Sequence, residues 1–227
     1  KSVIAPCLHM ARVSKIDIVV LTHPHPDHLQ GLIHILNNFN VREVWQSGNK
    51  SDDDLFRLFE KAIQDHDIRV RIISADTPPV VISGVAFDYV WPPALLPDTG
   101  KCVSHDELND ASLVFKMTFG RMSFLVTGDI SRRTEEALIK SGRNLRADLL
   151  FVPHHGSVHS SSEAFIGAVS PRYALVSAGR NNIFGHPHRE VLKRYLSSGI
   201  EMMRTDSQGA IIIRSSGDDL RVVSTRQ

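Results

Sequence analysis

Residues 16–28 read IDIVVLTHPHPDH, a β-branched apolar run that breaks into a loop carrying His23, His25, Asp27 and His28. The run is a strand signal, because β-branched side chains suit a pleated, half-buried surface. Pro24 and Pro26 alternate with the polar residues and stiffen the loop by fixing the backbone between them. A strand ending in a tight loop can splay alternate side chains to different sides. His23 and His25 can then turn one way while Asp27 and His28 turn another. Imidazole nitrogen with carboxylate oxygen suits borderline divalent ions such as zinc, iron or manganese. Two such pairs so close in sequence predict two ions sharing one site; the alternative is a surface loop that happens to be rich in histidine.

The same design recurs downstream. FLVTGD (124–129) is an apolar strand, a glycine and then an acid, Asp129. ADLLFV (147–152) runs into His154 and His155, and YALVSAG (173–179) precedes FGHPH, with His186 and His188. Together with the first loop, these motifs hold 7 of the chain's 12 histidines, each just after an apolar segment. Random placement does not produce that clustering.

The HxHxDH pattern, which stands here as His23-Pro24-His25-Pro26-Asp27-His28, resembles the signature of the metallo-β-lactamase superfamily. The wording of five later motifs narrows the likeness. NDASLVF (109–115), FLVTGD, VPHHGS followed by SSS (152–162), SAGRNNIFGHPH (177–188) and RTDSQGAI (204–211) resemble, in that order, the β-lactamase-like domain of ComEC-type competence proteins. Those proteins import DNA during natural transformation. The likeness runs from Ile16 to Ile213.

The resemblance implies an α+β fold, the four-layer αββα sandwich, with residues 1–227 as a single domain whose ligand loops collect along one edge. Superfamily members usually begin with strands and a metal-proximal aspartate upstream of the first loop. This chain has only KSVIAPCLHMARVSK there, so the expectation is a sandwich lacking its first N-terminal strands, with an exposed strand edge. By resemblance, His23, His25 and His155 hold one divalent metal ion, Asp27, His28 and His186 hold a second, and Asp129 bridges them. Many members take a ligand histidine just before the strand corresponding to SLVFKM. Asn109 and Asp110 occupy that place here, so the VPHHGS pair is expected to supply it. Whether His154 or His155 ligates stays open, the other orienting a ligand or touching substrate.

Two ions about 3.5–4 Å apart share a water, lower its pKa and clamp a phosphodiester oxygen. Manganese and zinc both suit the donors. Asp27 is a ligand that can also accept a proton. His188 can bind the scissile phosphate or protonate the leaving oxygen, or else it is a solvent-exposed histidine at a helix start. Ser157, Asn109 and Asn182 can donate to phosphate oxygens, or serve ordinary turns. The function implied is a nuclease on DNA, single-stranded in this setting, degrading the strand that is not imported. Its partner would be the remainder of a membrane-embedded uptake channel, with this domain monomeric and outside the cytoplasmic membrane. Alternatives are another hydrolase on the same scaffold (a phosphodiesterase, phosphorylcholine esterase or lactonase) or a non-catalytic DNA-binding module. A free-standing hydrolase would instead be cytoplasmic.

Composition sets wider bounds. The 227 residues, 42% hydrophobic, are enough for a substantial core. A net charge of +1 demands neither nucleic acid nor an acidic partner, and no apolar run approaches the roughly 20 residues that span a bilayer. Cys7 reads as a small buried hydrophobe and Cys102 as part of a polar loop. Arg132, Arg133, Lys140, Arg143 and Arg146 form a basic cluster that could follow a DNA backbone, or a solvated helix face interrupted by Glu135 and Glu136. His9, His34, His66 and His105 lie outside the motifs and read as structural or surface residues. Periodicity predicts helices over 29–38, 55–64, 131–140, 162–169 and 187–196. Strands are predicted over 41–47, 69–73, 85–91, 201–205, 209–215 and 220–224, with a hairpin turned at Phe119-Gly120 and a loop from Pro92 to Leu108.

Overall fold

The computed structural model describes residues 3–94 and 104–226. Cys102 lies outside them. The chain divides into two compact, interleaved units, Lys1–Asp76 with Pro92–Leu113, and Thr77–Trp91 with Val114–Gln227.

The first unit is built on a parallel three-stranded sheet. Helix α1 (Ile4–Met10) precedes β1 (Lys15–Leu21), and α2 (Pro26–Asn38) leads to β2 (Asn40–Gln46). Helix α3 (Asp54–Asp65) then leads to β3 (Arg69–Ile72), in sheet order β1-β2-β3. The register pairs Val20 with Trp45 and Val44 with Val70. Helix α2 opens on Pro26, whose fixed φ suits the first turn and whose missing N–H has no helical partner there in any case. Helix α3 is started by Asp53, whose Oδ1 accepts from the Leu55 N–H at 2.7 Å. Its buried Phe56, Phe59, Ala62 and Ile63 follow helical spacing and join Leu21, Leu29, Leu36 and Val44 in one core.

Two expectations are corrected in this unit. The segment expected to be loop up to Leu108 ends in a helix, α4 (His105–Asp110). Ser104 and Glu107 close a reciprocal capping box at its start, the Ser104 N–H donating to Glu107 Oε2 at 2.9 Å. Cys7 is exposed on α1, not buried, because Ala5 and Leu8 are the residues of that helix that turn to the core.

The second unit holds a mixed seven-stranded sheet. A meander of β4 (Val80–Ile82), β5 (Val85–Trp91), β6 (Val114–Phe119) and β7 (Met122–Val126) is antiparallel throughout. From β7 onward β8 (Leu149–Phe151), β9 (Tyr173–Val176) and β10 (Glu201–Arg204) are parallel. Their connections carry α5 (Arg132–Lys140), α6 (Glu163–Val169) and α7 (Arg189–Ser197). The short α8 (Thr205–Gln208) precedes a hairpin, β11 (Ile211–Ser215) with β12 (Leu220–Ser224).

Residues on β8 and β9 alternate between two cores. Leu150, Ala174 and Val176 face a cluster with Leu138, Phe165, Val191 and Tyr195 from the helices, while Leu149, Tyr173 and Leu175 pack with Ile211, Ile213, Leu220 and Val222. Burial on both faces explains why these strands read as unbroken apolar runs. Because β7, β8 and β9 are parallel, their C-terminal ends lie along one edge of the sheet. Loops at that edge are the usual ligand-binding positions of parallel sheets. No described helix is long and apolar enough to cross a membrane.

Candidate metal centre

In the first unit the loop after β1 concentrates imidazole. His23 and His25 are 1% and 5% exposed, which excludes the reading of a histidine-rich surface loop. His23 Nε2 lies 3.1 Å from His25 Nδ1, so one nitrogen of that pair donates and the other accepts. The His23 and His28 ring centroids are 4.2 Å apart, and His28 Nε2 is 3.8 Å from Asp27 Oδ2. Asp27 is exposed in the first turn of α2, where a carboxylate is favoured by the helix dipole. The end of α4 is tied to this loop. The Leu113 N–H donates to the Thr22 carbonyl at 2.8 Å, and the buried Ser112 Oγ is 3.2 Å from His23 Nδ1. Asn109 is buried on the same helix, and its Oδ1 meets no hydrogen-bond partner among the described residues.

His105, which the sequence offered only as a structural or surface residue, stacks on His25 with centroids 3.7 Å apart. The Ser104-x-x-Glu107 capping pattern was the available signal that a helix begins there. Nothing local announced its contact with His25.

In the second unit Asp129, His154, His155 and His186 come together at the C-terminal ends of β7, β8 and β9. Asp129 is 3% exposed and follows Gly128. The chain then uses left-handed backbone at His154 (φ 51°), His155 (φ 54°) and Gly156 (φ 86°). Two consecutive non-glycine residues in that region cost on the order of 1–2 kcal/mol each, and such strain concentrates at functional sites. Here it brings both rings to the same acid, with His155 Nε2 3.6 Å and His154 Nε2 3.9 Å from Asp129 Oδ2. The turn is anchored by the His154 N–H, which donates to the Gly128 carbonyl at 3.1 Å.

His155 Nδ1 is 2.8 Å from the Ser177 carbonyl, which can only accept. Nδ1 therefore donates to it, and Nε2 is the nitrogen that faces Asp129. His186 lies 5.9 Å from His154, ring to ring. Burial lowers its pKa, neighbouring His154 and His155 lower it further, and Asp129 opposes them. Its Nδ1 is buried with no hydrogen-bond partner among the described residues. An orphaned imidazole nitrogen, an imidazole with its proton directed away and a buried carboxylate are the donors a divalent cation takes, so the residues fit a metal.

The remaining candidates are placed as follows. Asn182 spends its amide on its own loop, donating to the Gly179 and His186 carbonyls at 2.9 and 2.7 Å and accepting from the His186 N–H at 3.0 Å. Ser157 is buried, and its Oγ accepts from the His159 N–H at 3.4 Å. His188 is exposed and caps α7, Nδ1 accepting from the Glu190 N–H at 3.4 Å. Glu135 does not interrupt the basic face of α5, because it is fully buried, accepting from the Ser161 and Ser162 N–H groups.

Residues 11–180 match the family model for the metallo-β-lactamase superfamily. ComE operon protein 3 of Bacillus subtilis is 31% identical over 215 residues, covering 94% of this chain and 26% of that protein. Competence protein ComA of Neisseria gonorrhoeae is 43% identical over 104 residues, covering 45% of this chain and 15% of that protein. The chain thus spans about a quarter or less of the length of these relatives. Igni18, a metallo hydrolase from the archaeon Ignicoccus hospitalis, shares the fold with a TM-score of 0.52 at 13% identity, over 83% of this chain and 75% of that one. Ligand-type side chains gathered at strand ends and a family match across both units lead to one placement: the chain belongs to the metallo-β-lactamase superfamily.

Proposed function

We propose that this chain is a dinuclear metal-dependent hydrolase that cleaves DNA phosphodiesters. The observation that supports the metal assignment is the His155 ring, whose Nδ1 is committed to the Ser177 carbonyl and whose Nε2 faces the buried Asp129 carboxylate. His23, His25 and His155 would hold one ion and Asp27, His28 and His186 the other, with Asp129 serving both. Divalent ions bound there, manganese or zinc, supply Lewis acidity and make water acidic near neutral pH. Asp27, exposed in the first turn of α2, would be placed to take up a proton from the attacking water. His188 uses Nδ1 for its helix cap, leaving Nε2 to meet the phosphate or the leaving oxygen. DNA is favoured as substrate by the similarity to a competence protein and by the ComEC-like order of motifs. In that setting the substrate is the strand not taken up. The partner is the rest of a membrane-embedded channel, and the domain faces outside the cytoplasmic membrane.

The test is direct. Labelled single-stranded DNA, a chromogenic phosphodiester and a lactone are each incubated with the protein and with Asp27→Asn, under manganese or zinc. DNA cleavage that falls by about 100-fold or more in Asp27→Asn supports the reading. Turnover of the lactone or the small diester, with DNA untouched, would reassign the substrate. Absence of turnover on all three would leave a binding module.

A further inference from the structure

The loop that delivers His186 also displays two large, exposed apolar side chains. Ile183 is 92% exposed, the highest value among the described large hydrophobics, and Phe184 at 72% is the one exposed aromatic among them. Isolated exposed apolar residues are ordinary, but these two are adjacent and sit on a loop that is held, not loose. Asn182 clamps it with three hydrogen bonds to Gly179 and His186, and the Gly185 N–H adds a fourth to the Asn182 carbonyl at 3.3 Å. The Phe184 ring stacks on His186, with centroids 5.8 Å apart and planes 21° from parallel. Asn182 thus turns its amide to the backbone, while Ile183 and Phe184 turn outward.

We propose that this tip is a nucleobase platform, on which Phe184, backed by Ile183, stacks an unpaired base of the DNA strand whose phosphate enters the site. The inference rests on the DNA reading above and goes further: it makes Phe184 a specificity residue that selects unstacked, single-stranded substrate. A ring already parallel to a ligand histidine offers its other face to a base, and preorganisation removes part of the ordering cost. Stacking tolerates any base, because every base has a π-face. Exposed Arg180 on the same loop adds a cation suited to the backbone phosphates.

Binding is measured by fluorescence anisotropy on the full chain with chelator present, which separates it from hydrolysis. The probes are oligothymidylate and an oligomer of the same length and charge made of abasic deoxyribose phosphate. The wild-type protein is expected to bind oligothymidylate about tenfold more tightly than the abasic chain, the ratio one stacked base supplies. Phe184→Ala should abolish that difference and Phe184→Trp should keep it, with circular dichroism showing both folded. Equal binding of the two oligomers by the wild type, or an undiminished difference in Phe184→Ala, overturns the platform. DNA hydrolysis by the wild type under manganese is scored separately. A protein that discriminates bases but never cleaves DNA retains the platform and loses the nuclease reading; one that cleaves without discriminating does the reverse.

Discussion

A histidine ligates through a lone pair, so the partner of its other nitrogen decides what the ring can do. His155 and His154 are neighbours in sequence and nearly equidistant from Asp129, but the Ser177 carbonyl orients His155. His155→Ala is accordingly expected to lose about one of two metal equivalents, whereas His154→Ala keeps both with affinity weakened roughly 10-fold. Metal analysis after gel filtration reads this, and the opposite result would exchange the two residues. Glu135 gives a second residue-scale prediction. Burial raises its pKa although two N–H groups donate to it. Because the folded state binds this proton more tightly than the unfolded chain, the contribution of Glu135 to stability is fully present below the ordinary carboxylate range. It declines as pH rises through the raised value. Urea unfolding across pH should show that slope, and Glu135→Ala should flatten it. That variant should also cost about 3 kcal/mol at neutral pH, by leaving two buried donors unanswered. Sequence reading placed Glu135 on the charged face of its helix, since composition does not record which side of a helix turns inward.

At the scale of elements, the site depends on how tightly its loops meet. A Cβ on Gly156 would lie 2.6 Å from Pro187 Cβ, and its φ of 86° already disfavours any other residue. Gly156→Ala should therefore cost about 3 kcal/mol by combined overpacking and backbone strain. It should also weaken metal binding, since it separates the His155 turn from the Pro187 segment. Thermal unfolding and zinc titration check both, and a neutral substitution would show that the loops are compliant. Most elements were legible because their signals are local. Asp53, Ser131 and Ser162 cap the helices that periodicity predicted. Helix α1 was not, because it buries little beyond Ala5 and so carries no apolar stripe. Strand β4, at three residues, is too short for alternation to register.

At the scale of the whole molecule, the ligand assignment predicts that ions stabilise the folded chain by mass action. At 100-fold excess over Kd the gain is about 2.7 kcal/mol, or roughly 5–10 °C in Tm for a chain of this size. Calorimetry with and without chelator should show that shift in the wild type and little of it in Asp129→Ala. An equal shift in the mutant would remove Asp129 from the centre. By itself the sequence determined the superfamily and the strands that precede its histidine and aspartate motifs, because each motif is a short run whose chemistry and periodicity are local. Only the tertiary structure decided that His105 meets His25, that His155 and not His154 has its proton held by Ser177, and that Phe184 stacks on His186 at an exposed tip. The first two contacts join residues far apart in the chain, and the third depends on how a clamped loop leaves the strand before it. Such pairings are set by strand order and backbone turns, which no local pattern encodes.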